Sequence, residues 1–209
     1  MDPLLLRTAA AFGLAASAGL NTTIPLVLVG LLARFGLLEL AAPFDALASD
    51  LVLGGLVVLA ALEFVGDKVA ALDTVVHAVQ WPLVATAGAI LFASQTGAVR
   101  WVSPELALLV GLLAAGAVHG ARAAVRPVIT GSTVGLGNPV ASVLEDGYAL
   151  ALATTSLLAP GLGLALLLVL LATLAAAGLW VAHQGRRLTR WARRRVSGSR
   201  HAGVGSTVP

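Results

Sequence analysis

Three short stretches carry most of the side chains able to do chemistry in this chain. The first is Glu63-Phe-Val-Gly-Asp67-Lys68. A spacing of four puts Glu63 and Asp67 on one helical face, where two carboxylates can hold a cation or share a proton, and Gly66 lets another helix come close. The bland alternative is a helix end, with all three charges among lipid head groups. Only twelve apolar residues, 51–62, precede Glu63. They make about 18 Å of helix, short of a hydrocarbon core of about 30 Å, so Glu63 is expected within the membrane thickness while Lys68 snorkels out. The second stretch is Glu145-Asp146. Adjacent helical residues diverge, so one acid can face the bundle while the other meets a cation on a neighbouring helix. The bland reading is acids near a helix N-terminus. The third is His119, Arg122 and Arg126, spaced three and four apart on one stripe. It reads either as a cytoplasmic anchor or, with Lys68, as the counter-charge to the four acids. Breaking a buried pair of that kind costs about 3–5 kcal/mol. His77, near Gln80 and Trp81, could relay protons or be a hydrogen-bonded core residue. Asn21-Thr22-Thr23 precedes Pro25, which lacks an N–H and so releases the Asn21 carbonyl. That group and the Asn21 amide are expected near mid-membrane as a substrate contact, or else form a kink closed by threonine hydroxyls.

The elements that must position these groups are apolar. Of 209 residues, 58% are hydrophobic and 11% charged, and mean hydropathy is +0.95. A soluble domain carries about 25% charged residues. The pattern predicts an all-α, polytopic membrane helix bundle of about six spans of roughly 20 residues each. They fall at 8–33 (interrupted at Asn21–Pro25), 51–70, 74–95 with Pro82 inside, 105–124, 139–159 and 161–183. The N-terminal run has signal-peptide features but continues apolar through Leu32, and is read as a retained first helix. Residues 127–138, rich in Gly, Ser and Thr, read as a flexible connector or a loop folded back between helices. Pro/Gly-broken helices beside polar residues point to a transporter site. Two weak internal matches, 73–82 with 138–147 and 13–21 with 111–119, imply different symmetries and leave an internal duplication open.

Charge divides the chain into a transmembrane domain, 1–185, and a basic, partly disordered cytoplasmic tail, 186–209. Residues 1–185 hold six basic and ten acidic side chains, whereas 186–209 hold seven arginines and no acid. The positive-inside rule then gives an N-in/C-in orientation in a bacterial inner membrane. Ten Lys/Arg fall inside (Arg7, Lys68, Arg122, Arg126 and six of the tail) and Arg34 and Arg100 outside. Arg186, Arg187, Arg190, Arg193, Arg194 and Arg195 are expected to meet anionic lipid rather than nucleic acid, and a homo-oligomer is compatible with the sequence. The absence of cysteine excludes disulfides and thiolate chemistry. No phosphate-binding loop, nucleophile elbow or zinc-protease motif occurs, so neither a cofactor nor an enzymatic activity is expected. The enzymatic alternative is a lipid head-group enzyme with His77 or His119 as base and the arginines on phosphate.

Residues 13–36 (GLAASAGLNTTIPLVLVGLLARFG), 43–50 (PFDALASD), 63–82 (EFVGDKVAALDTVVHAVQWP) and 119–146 (HGARAAVRPVITGSTVGLGNPVASVLED) occur in that order. Together they resemble the bacterial integral-membrane family catalogued as domain of unknown function 4126, over about residues 10–160. Where that family usually has Pro after Lys-Ile and Arg before the later Pro, this chain has Val69-Ala70 and Trp81. The resemblance implies architecture and no activity. A looser likeness, by analogy, is to six-helix cation/proton exchangers marked by Glu-x-Gly-Asp, from which Glu63 and Asp67 depart by one residue. The residues themselves suggest a small-solute or cation/proton-coupled transporter. The alternative is a non-catalytic scaffold or accessory subunit whose buried charges are structural.

Overall fold

The computed structural model describes residues 3–40, 42–66, 73–95 and 102–202, with side chains described except at 65–66, 73–79 and 184–202. The chain is all-α, as its composition predicts. Among the described residues seven α-helices follow one another: α1 Pro3–Leu20, α2 Thr23–Arg34, α3 Asp50–Gly66, α4 Asp73–Ala93, α5 Pro104–Thr133, α6 Gly137–Leu158 and α7 Pro160–Ala202. A short 3-10 turn, Phe44–Ala48, precedes α3. Among the described residues three segments are long and apolar enough to cross a bilayer: Pro3–Leu20, Pro104–Thr133 and Pro160–His183. Exposed leucines, valines and phenylalanines such as Leu51, Val58, Phe64 and Leu168 cover the outer surfaces, which lipid can solvate and water cannot.

The first predicted span is replaced by two helices of opposite direction. Phe12 of α1 stacks edge-on against Phe92 of α4 at 5.0 Å, and Leu40, past α2, bridges Gln95 just beyond Phe92. The far end of α2 therefore lies back alongside the middle of α1. At the other end Thr23 of α2 meets Glu63 of α3, and Arg34 closes the hairpin by pairing with Asp50 at 2.6 Å. The chain thus reverses at Asn21–Thr22. An 18-residue α1 is about 27 Å long, so Asn21 sits at the end of a full-length helix, not halfway along one. All seven helices then alternate in direction. The start of α1 and the C-terminal part of α7 lie at opposite ends of the bundle, in place of six spans with both termini on one side. The reversal, rather than a kink, is the physical source of the difference.

One further boundary moves. Residues 127–133 continue α5 instead of forming a connector. Their hydroxyls bond back to helix carbonyls, Thr130 to Arg126 O at 3.0 Å and Thr133 to Ile129 O at 2.7 Å, so polar side chains cost the helix little. It ends where Val134 and Gly135 take positive φ of 54° and 85°. The backbone of α7 runs on to Ala202.

α1 runs through the middle, packed on α4, α5, α6 and α7. Its Leu14 and Ala18 join Val84, Leu91 and Ala153 in one buried cluster. Helix contact depends on small residues, as in membranes, where apolar surface gains nothing by leaving lipid. A Cβ on Gly111 of α5 would lie 2.3 Å from the Gly88 carbonyl oxygen of α4. A Cβ on Gly19 would lie 2.6 Å from Ala115 O.

Two outcomes follow from this packing. Gly111→Leu should prevent close approach of α4 and α5 and lower the detergent Tm by several degrees, overpacking of this kind costing about 1–3 kcal/mol. Single cysteines are unambiguous reporters in a cysteine-free chain. With an impermeant maleimide, Leu4→Cys and Leu37→Cys should label from one face of the membrane and Val134→Cys from the other. Labelling of Leu4→Cys and Val134→Cys from the same face would reinstate the six-span topology.

Candidate functional site

Reversing a chain between helices leaves the last carbonyls of one and the first N–H groups of the next without intrahelical partners. Asn21 meets the second need. Its Oδ1 accepts from the backbone N–H of Thr23 at 3.1 Å and of Ile24 at 2.9 Å, the pattern of an N-cap. Pro25 is the third residue of α2, where no N–H is required; it supports the start of a helix and does not kink one. Arg122 meets the first need, its guanidinium donating to the carbonyl of Leu20. A cation there also suits the negative end of the α1 dipole.

The remaining polar contacts build outward from this turn. The Asn21 amide donates to Asp146 Oδ1 at 2.9 Å. Thr23 Oγ1 donates to Glu63 Oε2 at 2.6 Å. One oxygen of Glu145 serves both arginines, with Arg126 at 2.8 Å and Arg122 Nε at 3.5 Å. Glu63, Arg122 and Arg126 are each 6–8% exposed, and His119 is 1% exposed. His119 meets the Trp81 ring edge-on at 5.2 Å, while Trp81 lies along Gly116 and Gly120 of α5, where a Cβ would come within 3.7 and 3.5 Å of its ring. A cavity of about 10 Å³ is bordered by Asn21, Thr22, Glu63, Gln80, His119 and Arg122. That is about the room one water needs.

Residues chosen from the sequence therefore converge. Asn21, Glu63, His119, Arg122, Arg126, Glu145 and Asp146 meet at one end of the bundle, contributed by α3, α5, α6 and the α1–α2 turn. Glu145 and Asp146 diverge as adjacent helical residues must, one to the arginines and one to Asn21. Asp67 and Lys68 lie outside the described residues, as does the side chain of His77 on α4. Among the described residues no group of three or more His, Asp or Glu is placed to hold a metal. The amide that was expected to be open to a substrate is engaged by Asp146. Sequence reading missed the bond from Thr23 to Glu63, forty residues apart; the only signal for it was a hydroxyl beside a helix start.

An all-α bundle with several helices long and apolar enough to cross a bilayer is compatible with a helical membrane protein. A family model described as a domain of unknown function (DUF4126) matches residues 8–180, and the chain belongs to that family. No match is found among curated proteins or among solved structures.

The ion pairs make the network testable. Arg126→Ala should leave Glu145 with Arg122 as its cation and destabilise the protein by less than the roughly 3–5 kcal/mol of a fully broken buried pair, seen as a fall in Tm. Arg126→Gln combined with Glu145→Gln should recover part of that loss. Asn21→Ala should cost about 1–2 kcal/mol as a lost cap.

Proposed function

We propose that the protein moves a small cation or a proton across a bacterial inner membrane, with Glu63 as the titrating or cation-binding carboxylate. The observation that carries this reading is the α1–α2 reversal. The turn at the end of α1 is packed in protein beside a cavity, and ionisable side chains beside such breaks mark transport paths. Here the turn, the Glu63 carboxylate, Gln80, His119 and Arg122 surround one small space. Its size suits a proton or a single small ion better than an organic solute. Asn21 positions the turn, and Arg122 with Glu145 fixes the charge balance beside it. Arg122 and Arg126 lie at this end, and the α7 arginines follow it in sequence, so the positive-inside rule puts it at the cytoplasm and the start of α1 outside.

The scaffold reading retains one specific support. The ion pairs of Glu145 and the bond of Arg122 to Leu20 are explained by satisfaction of the turn alone.

Glu63→Gln separates the two readings, since it keeps the shape of the side chain and removes its charge. In proteoliposomes it should reduce proton-coupled or cation flux about tenfold, a factor worth about 1.4 kcal/mol, while Asp45→Asn in the exposed 3-10 turn leaves flux unchanged. Wild-type flux in folded Glu63→Gln protein, with only a lowered Tm, would favour the scaffold and reject a transport role for Glu63.

A further inference from the structure

The chemistry of the cavity wall beside the α1–α2 turn decides which ion such a space can accept. Glu63, Gln80, His119 and Arg122 border it, each more than nine-tenths buried. A metal cation needs several oxygen ligands or retained waters, and this space has room for about one water. Among the described residues Glu63 is the only carboxylate on its wall. Asn21 is occupied by the turn, its carbonyl oxygen accepting from two backbone N–H groups and its amide donating to Asp146. The guanidinium of Arg122 is always charged. It stands on the same wall and repels a second cation, with little solvent between them to screen it. A proton makes no such demand for room or ligands. It needs a donor, an acceptor and a path, and a carboxylate and an imidazole on one water-sized space provide them.

The charge balance fits the same ion. Three carboxylates, Glu63, Glu145 and Asp146, gather around the turn with two guanidinium groups, Arg122 and Arg126. With His119 neutral these groups carry one negative charge in excess, and a single proton balances them. The surroundings of the pair are otherwise uncharged. Thr23 of α2 donates to Glu63, Trp81 of α4 meets His119 edge-on at 5.2 Å, and α1 brings only the apolar Leu20 to the cavity wall. Glu145 and Asp146 of α6 are engaged by the arginines and by Asn21.

We infer that the ion this site takes is the proton, held jointly by Glu63 and His119 through one water in the cavity. The inference rests on the reading of Glu63 as the titrating carboxylate and narrows its substrate to the proton alone. When the proton moves within the pair, the His119 imidazolium gives it to the water oxygen while that water gives one of its own to a Glu63 carboxylate oxygen. The imidazole and the carboxyl are left neutral and the water is restored. Groups that share a proton in this way titrate as a pair and not as independent sites.

A pH titration of the purified full-length protein in detergent follows both groups. The C=O stretch of a protonated carboxyl, read by infrared difference spectroscopy, reports Glu63. Trp81 emission reports His119, because an imidazolium quenches a neighbouring indole more than a neutral imidazole does. Trp101→Phe, Trp180→Phe and Trp191→Phe together leave Trp81 as the single indole. Both signals should change over the same pH range. Glu63→Gln should abolish the carboxyl signal and displace the emission midpoint by about one pH unit or more. His119→Gln, or His119→Asn should the first fold poorly, should displace the carboxyl midpoint by an equal amount, since coupling is reciprocal. Exchanging choline chloride for sodium, potassium or magnesium chloride at equal ionic strength should move neither midpoint. Signals of the wild-type protein that change over separate pH ranges, or midpoints that stay fixed in folded variants, overturn the proposal. So does a carboxyl signal suppressed by one of the metal cations, an outcome that keeps a transport role for Glu63 with that cation as cargo. A coupled titration without flux in proteoliposomes upholds the proton site and rejects transport.

Discussion

A chain that turns between helices inside apolar surroundings must find partners for its own backbone. Water cannot supply them there, and each unsatisfied group costs several kcal/mol. The turn at Asn21–Thr22 meets this demand with two side chains, and much of the polar interior follows from that choice. Asn21 can cap Thr23 and Ile24 only while its amide group points the other way, and Asp146 holds it there. Arg122 can close the Leu20 carbonyl only by being buried, and a buried guanidinium needs an acid. Glu145 supplies it and is shared with Arg126. One backbone requirement thus brings α5 and α6 to the end of α1 with their charges already matched.

The same turn constrains packing. Because α2 leads back along the bundle, α1 is left to be surrounded by the four later helices, and it can be central only if its neighbours come very close. Gly19 against Ala115, and Gly13 against Ser156 of α6, meet that need. Where lipid is as good a solvent for leucine as another helix is, dispersion at short range and hydrogen bonds must hold helices together. The glycines and alanines of this chain are therefore as structural as its leucines.

The helices and the members of the polar network were legible in the sequence to different degrees. Glu63, His119, Arg122, Arg126, Glu145 and Asp146 stood out because charge is costly in an apolar run, and cost is a property of residue type. Direction was not legible. Asn21–Pro25 marks a break, but a kink and a reversal use the same residues; the difference lies in what Arg122 and Asp146, a hundred and more residues away, do for the turn. The hydroxyl-rich stretch after Pro127 misled for a related reason. Threonine and serine suit loops when their side chains compete with the backbone, and suit helices when, as at Thr130 and Thr133, they bond the preceding turn. Nothing local decides between these.

Glu63 stands apart in this chain of requirements. Removing Asp146 would take the acceptor from the Asn21 amide, and removing Glu145 would take a shared acid from two arginines, so both acids serve the turn. Glu63 receives the hydroxyl of Thr23, a group that elsewhere in this bundle is satisfied by a carbonyl one turn back, as in Thr155 with Ala151 and Thr173 with Val169. A carboxylate buried in an apolar helix at the edge of a water-sized space is costly to keep there. Function is therefore to be sought first at Glu63.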